Sequence, residues 1–273
     1  MRIGNRCKDL NDGQGLEIDY SKAAEKIAQC VKDYLEVSKA NGYVLGLSGG
    51  LDSAVTASLL VKGVGKDRVY ALILPERESS REDVEDAKAV ADSLGIRYVL
   101  TDITDPVENV LKMFGENYNT ADRKAKGNLK ARIRMATLYY FANRMGLLVA
   151  ATSDRSEFLI GYFTKWGDAA GDIYPLISLY KTQVRGMAFF LGVPKKVAEK
   201  PSSPGLWPGQ TAEGEIGMSY GEIDQILHLL VDRQEPIDEV SRVLGIPREK
   251  VEAVWRMVIS SSHKRFKLQS CGV

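Results

Sequence analysis

Histidine, cysteine and charge imbalance are what this chain has little of. Two histidines, His228 and His263, among 273 residues cannot build a His-rich zinc site. Three scattered cysteines, Cys7, Cys30 and Cys271, form no C-x-x-C pair. They exclude a disulfide framework and point to a reducing compartment. The 37 Lys and Arg residues balance 36 Asp and Glu residues, for a net charge of +1. No field is left over to attract nucleic acid or an anionic membrane. No apolar run reaches transmembrane length, and the start, Met1 to Arg6, lacks the apolar core of a signal peptide. These absences predict a cytoplasmic protein without a tightly held transition metal. The length permits one large domain with a sizeable core, or one domain with an appendage.

What is present alternates between two periodicities. Residues 1–18 read as a polar leader. From Tyr20 to Ala40, Ala23, Ala24, Ile27, Val31 and Leu35 recur at helical spacing. Short apolar, β-branched runs follow at Tyr43–Leu47, Val69–Leu74, Tyr98–Leu100 and Leu147–Ala151, with a shorter candidate at Ile173–Leu176. Helical patterns separate them: Ala54–Leu60, a segment capped by Ser79 or Ser80 and stopped by Gly95, Pro106–Phe114, and Asn128–Met145 with Gly146 as its stop. Strands alternating with helices predict an α/β fold, a parallel sheet covered by helices on both faces. The last part is helical, over 220–231, 237–244 and 248–261. Pro201–Gly217 is rich in Pro, Gly and Ser and reads as a mobile lid loop. The whole chain is expected to form a single domain.

The first strand runs directly into Ser48-Gly49-Gly50-Leu51-Asp52-Ser53 and then a helix. A strand, a Gly-Gly turn and a helix N-terminus make a phosphate cradle, because backbone N–H groups can approach an anion with no side chain between. The hydroxyls of Ser48 and Ser53 add donors. Asp52 would repel a phosphate unless a Mg²⁺ ion lies between them. The string is not a Walker A loop, which needs a Lys after its last Gly, and it lacks the G-x-G-x-x-G dinucleotide fingerprint. It resembles the S-G-G-x-D-S loop of the PP-loop ATP pyrophosphatases, which cleave ATP between its α and β phosphates. That resemblance implies a Rossmann-like, adenine nucleotide alpha-hydrolase-like fold.

A second constellation follows the fourth strand: Thr152-Ser153-Asp154-Arg155-Ser156-Glu157, then Gly161-Tyr162-Phe163-Thr164-Lys165-Trp166-Gly167-Asp168, with Asp172 and Lys181 beyond. Ligands gather at the carboxyl ends of strands in such sheets, which places this segment beside the Ser48 loop. Together with Gly127-Asn128-Leu129-Lys130-Ala131-Arg132 and the late His263-Lys264-Arg265, the set resembles the NAD synthetases over residues 20 to the C-terminus. The resemblance implies a ligase that amidates nicotinic acid adenine dinucleotide (deamido-NAD) with ammonia. ATP first adenylates the nicotinate carboxylate and releases pyrophosphate; ammonia then displaces AMP.

By the same resemblance, Gly46 to Ser53, Thr152, Lys181 and Ser203 bind ATP, with Ser202 as an alternative register for Ser203. Asp52 and Glu157 hold Mg²⁺. Arg132, Lys165, Asp172, His263 and Lys264 bind deamido-NAD. Asp52, Glu157, Asp168 and Lys181 form the catalytic set, with Asp168 or Asp172 as a base toward ammonium. His228, among Ile226, Leu227, Leu229 and Leu230, reads as structural.

A glutamine-hydrolysing domain would need a nucleophilic Cys and on the order of a hundred more residues. Only 42 residues precede Tyr43, so ammonia is expected to be used directly or delivered by a separate subunit. The family also implies a homodimer, with the 20–40 and 128–145 helices as candidate interface elements. Competing readings are another PP-loop ligase, such as a GMP synthetase ATPase subunit or a tRNA modifier, and a non-catalytic ATP-binding module. Balanced charge argues against the tRNA modifier. A GMP synthetase subunit would not be expected to carry the G-Y-F-T-K-W-G-D segment, and a sensor would not need Glu157 and Lys181 alongside Asp52.

Overall fold

A computed structural model describes residues 15–265. Cys7, Cys271 and most of the polar leader lie outside the described residues. Four parallel strands, β1 (Tyr43–Gly46), β2 (Val69–Ile73), β3 (Arg97–Leu100) and β4 (Leu148–Val149), form a sheet in the order β3-β2-β1-β4. Tyr43 sits opposite Val69 on one side and Leu148 on the other.

Alternation along the strands sends successive side chains to opposite faces. Tyr43, Leu45, Val69, Ala71 and Ile73 pack with α1 (Tyr20–Ser38), α2 (Leu51–Val64) and α3 (Arg81–Leu94). Val44 and Leu72 pack on the other face with α4 (Thr104–Met113) and α5 (Arg123–Met145). Both faces are therefore covered, as a parallel sheet requires. The buried Tyr43 hydroxyl donates to the carbonyl of Val31 at 2.7 Å, so its polar end is satisfied.

Beyond β4 come α6 (Arg155–Ile160), α7 (Lys181–Phe190), α8 (Lys195–Ala198), α9 (Ala212–Ile216), α10 (Tyr220–Leu227), α11 (Ile237–Leu244) and α12 (Arg248–Ser260). Helices α7 and α8 return to the first face of the sheet through Val184, Met187 and Val197. Helices α6, α10, α11 and α12 enclose a separate core around Ile160, Ile223, Leu227, Val240, Val251 and Val254. The helical C-terminal part stands as expected.

Four expectations change. The fourth strand is two residues long, and the candidate fifth is a single parallel bridge, Ala150 to Ile173. The carboxylate of Asp172 accepts from Val149 N at 2.7 Å, taking a donor that a neighbouring strand would need. Pro175 then offers no N–H to extend a ladder. The helix expected over 220–231 ends at Leu227 and continues as a π-turn, His228–Asp232. The 201–217 segment is not all loop, because Thr211 caps α9 by accepting from Gly214 N.

The chain steps outward from β1 to β2 to β3, then returns to place β4 on the other side of β1. The crevice between the carboxyl ends of β1 and β4 is thus a topological switch point, where such sheets bind ligands.

Candidate active site

The loop after β1 enters α2 through Gly49 and Gly50. Gly49 has φ +78°, and a Cβ there would lie 2.0 Å from the carbonyl oxygen of Asp83. Only glycine fits both constraints. Ser53 Oγ accepts from Ser48 N at 3.2 Å, donates to Gly50 O at 3.1 Å and lies 3.1 Å from Ser48 Oγ. The turn is therefore built before any ligand arrives. Helix α2 starts on Gly50 with no side-chain cap. Its first-turn N–H groups and the positive end of its dipole are left for an anion. Lys200 Nζ braces the turn from behind, 3.1 Å from Gly49 O and 2.6 Å from carboxylate oxygens of both Asp83 and Asp86.

Four charged groups converge in front of the turn. Asp52 comes from the first turn of α2, Asp154 is the N-cap of α6, Glu157 lies one turn into α6, and Lys181 opens α7. Lys181 Nζ is 2.8 Å from Asp52 Oδ2, from Asp154 Oδ2 and from Glu157 Oε1, and its side chain is 1% exposed. Asp154 also accepts from Glu157 N at 2.9 Å, which fixes the two carboxylates relative to each other. Burial raises the Asp154 carboxyl to about 7 against the opposing pull of Lys181. Burial likewise holds the Glu157 carboxyl well above its ordinary value, with Lys181 opposing and Asp154 adding to the rise. For Lys181 burial acts downward, but Asp154, Asp52 and Glu157 outweigh it and raise the ammonium well above its ordinary value.

The oxygens of Asp52, Asp154 and Glu157 lie within 4.8 Å of one another. Asp52 Oδ1 is buried without a hydrogen-bond partner. Hard carboxylate oxygens and an orphaned acceptor fit Mg²⁺. Three carboxylates against one ammonium leave excess negative charge for a divalent ion, and Asp154 joins the expected pair Asp52 and Glu157. Asp154 had a readable signal: it stands directly after the fourth strand in a D-x-x-E capping pattern. Lys200 had none, because it lies far along the chain from the loop it braces.

The expected ATP residues divide. Gly46 to Ser53, Lys181 and half-buried Thr152 share the carboxyl edge of the sheet. Ser203 turns inward: its hydroxyl donates to Gln210 O at 2.7 Å and accepts from Gly205 N at 3.1 Å. Ser202 Oγ is buried without a partner, and Ser202 shares a cleft of about 330 Å³ with Lys181 and Tyr220. Of the two registers, Ser202 is the one that lines this cleft.

The expected dinucleotide residues mostly meet. Arg132 on α5 donates to Lys165 O at 3.2 Å. Lys165 Nζ donates to His263 O at 2.8 Å. Lys264 Nζ donates to Gly161 O at 2.8 Å and Phe163 O at 2.9 Å. The cations of Arg132, Lys165 and Lys264 thus tie three distant segments together, with His263 joined through its carbonyl. Asp168 closes the turn beside them, accepting from Thr164 N at 2.9 Å. Asp172 stands apart, held by Val149 N and by the Tyr139 hydroxyl at 3.3 Å.

A buried network missed in the sequence joins α5 to the segment after β2 and to the 201–217 segment. Lys130 Nζ, on α5, lies 2.6 Å from Glu76 Oε1, 2.6 Å from Glu78 Oε2 and 2.9 Å from Leu206 O. The Tyr118 hydroxyl donates to the other oxygen of Glu76. His228 is buried against Asp232, Nδ1 to Oδ2 3.1 Å, and edge-on to Tyr180, in keeping with a structural role.

A parallel sheet with an uncapped, glycine-turned helix at its switch point, faced by carboxylates and a lysine, defines a PP-loop nucleotide enzyme. The family model described as NAD synthase matches residues 23–267. The chain belongs to the NAD synthase family. It is 51% identical over 251 residues to the NH(3)-dependent NAD(+) synthetase of Hyperthermus butylicus, covering 92% of this chain and 90% of the relative. Its fold superposes on an NMN synthetase from Francisella tularensis with a TM-score of 0.82 at 34% identity, covering 94% of this chain and all of the other. The NH3-dependent NAD synthetase of Campylobacter jejuni, solved with nitrate, gives a TM-score of 0.78 at 28% identity over 94% of this chain and all of the other.

Proposed function

We propose that this chain makes NAD by ATP-dependent amidation of deamido-NAD with ammonia, releasing AMP and pyrophosphate. The observation that carries the reading is the meeting of the open α2 N-terminus with Asp52, Asp154, Glu157 and Lys181 at one sheet edge. A carboxylate is a poor electrophile, since its charge repels nucleophiles and oxide is a poor leaving group. Adenylation supplies a good one. The N–H groups of the Ser48–Ser53 turn hold the triphosphate in line, and Lys181 neutralises charge as pyrophosphate leaves. Mg²⁺, held by Asp52, Glu157 and Asp154, would offset the remaining phosphate charge. Arg132, Lys165, His263 and Lys264 bind the phosphates and carboxylate of the acid substrate. Asp168, exposed beside them, serves as the base toward ammonium in preference to Asp172, whose oxygens are already engaged.

The 201–217 segment acts as the lid of a single domain, with Ser202 reaching the phosphates. The protein works in the cytoplasm; among the described residues no helix is long and apolar enough to cross a membrane. It works as a homodimer. The exposed edge residues Tyr98, Val99 and Leu100, with Met113, Phe114 and Tyr140, offer the apolar surface for a second copy. Of the two helices expected at an interface, α5 exposes Tyr140 and Met145, whereas α1 exposes only Val37 among its large apolar side chains.

The likeness to an NMN synthetase favours one second reading, with a mononucleotide as the acid. Exchange of labelled pyrophosphate into ATP, without ammonia, tests both. Exchange that requires deamido-NAD supports the main reading. Exchange that requires only nicotinic acid mononucleotide supports the second, and exchange with neither acid overturns acyl adenylation.

A further inference from the structure

Trp166 stands where a tryptophan is costly. It is 66% exposed, and its φ of +60° is a left-handed conformation that a bulky residue rarely adopts. The other positive-φ residues among the described non-glycines, Lys39 and Gln234, are long and polar. Trp166 is the third residue of a turn closed by Gly167 N donating to Thr164 O at 2.9 Å. Glycine follows immediately, yet the tryptophan takes the strained position.

The turn that presents the ring is fixed on several sides. Thr164 Oγ1 donates to Asn128 Oδ1 at 2.7 Å, and Arg132 holds the carbonyl of Lys165. Gly167 packs so closely on α5 that a Cβ would lie 3.0 Å from Ala131 Cβ. Lys165 Nζ ties the turn to His263 O, and Asp168 caps it through Thr164 N. Of the other tryptophans, Trp207 lies under the Arg123 guanidinium and Trp255 packs on the C-terminal core. Trp166 has its ring largely in water, on a braced turn, with Lys165 Nζ 5.7 Å from the ring centroid and Arg132 and Lys264 bonded to the same segment.

A planar apolar face beside convergent cations suits a heteroaromatic ring attached to phosphates. We propose that Trp166 is a stacking platform for a heteroaromatic ring of the dinucleotide, a specificity-determining residue whose turn is strained to present it. The proposal rests on the NAD-forming reading above. It extends that reading to a residue that phosphate or carboxylate recognition does not require.

Two variants and one binding probe test it. Trp166→Gly removes the ring and also the strain; Trp166→Phe keeps an aromatic face. Trp166→Gly is expected to raise the KM for deamido-NAD about tenfold, within the range of base–aromatic stacking, while the KM for ATP stays within about twofold. Its Tm is expected to equal or exceed that of the unmodified protein. Trp166→Phe should stay within about threefold in KM. Separately from turnover, nicotinic acid mononucleotide or AMP should quench the intrinsic fluorescence, and Trp166→Phe should lose that quench. The quenching nucleotide identifies which ring stacks.

An unchanged deamido-NAD KM in folded Trp166→Gly would overturn the proposal. So would a lower Tm with unchanged KM, which marks a structural residue, or a shift to monomer on gel filtration, which places the ring against a second copy. Quenching without any NAD formation by the unmodified protein would keep the platform and overturn the reaction instead.

Discussion

Replacing Lys181 by Met keeps most of the buried stem and removes the charge among three carboxylates. At an effective dielectric of about 20, each contact at 2.8 Å is worth about 6 kcal/mol of gross attraction. The carboxylates, within 4.8 Å of one another, repel by at least about 3.5 kcal/mol per pair on the same scale. Desolvation offsets much of both, and losing one partner of a buried ion pair costs about 3–5 kcal/mol in practice. That is the expected loss of unfolding free energy for Lys181→Met at pH 8. The sign with pH follows from proton binding. Without the ammonium the folded carboxyls, already raised for Asp154 and Glu157, rise further above their unfolded values. The folded variant therefore takes up protons that the unfolded chain does not. Its deficit shrinks as pH falls from 8 to 6, by up to about 1.4 kcal/mol per pH unit for each proton that the folded variant binds beyond those the unmodified protein, with its own raised Asp154 and Glu157, already takes up. Urea unfolding of both proteins at the two pH values measures this. An equal deficit at pH 6 and pH 8 would refute carboxylate repulsion as its source.

Other expectations follow from single contacts. Gly49→Ala forces a Cβ onto the carbonyl of Asp83, so calorimetry should show ATP affinity at least about tenfold weaker, with about 1–3 kcal/mol of stability lost. Lys165→Ala should raise the KM for deamido-NAD by about ten- to a hundredfold, more than that for ATP; an unchanged value removes Lys165 from the site. Asp224 is buried beneath Ser156 Oγ and Thr182 N, and burial raises its pKa against their pull. The folded protein thus binds that proton more tightly than the unfolded chain. This term favours folding at acid pH and is lost as pH rises from 3.8 through the folded value. The stability difference between the unmodified protein and Asp224→Asn should therefore narrow as pH rises across that interval, read from denaturant titrations; a widening difference would contradict the assignment.

The parts of the fold legible in the sequence are those whose chemistry is local. Gly95 and Gly146 end their helices at φ +63° and +65°, as glycines after apolar periodic segments should. Of Ser79 and Ser80, Ser80 is the cap, because the Ser79 hydroxyl accepts from Glu76 N instead. The Ser48–Ser53 turn was legible because strand, glycines and helix are contiguous. What was hidden depends on distant partners. The shortening of β4 comes from the Asp172 side chain, and the bracing of Gly49 comes from Lys200. The Lys130 network joins α5 to Glu76, Glu78 and Leu206. No spacing rule announces such contacts. The basic cluster shows the same divide: Arg132, Lys165 and Lys264 were named by family resemblance, but the turn that locks them together was not visible in any one segment.

The central claim is α–β cleavage of ATP coupled to amide formation. The direct measurement incubates the protein with ATP, Mg²⁺, deamido-NAD and ammonium chloride as the sole nitrogen source, and counts NAD, AMP and pyrophosphate. One AMP and one pyrophosphate for each NAD is the predicted result. NAD formed with ADP and phosphate, or no NAD from folded protein, would contradict it.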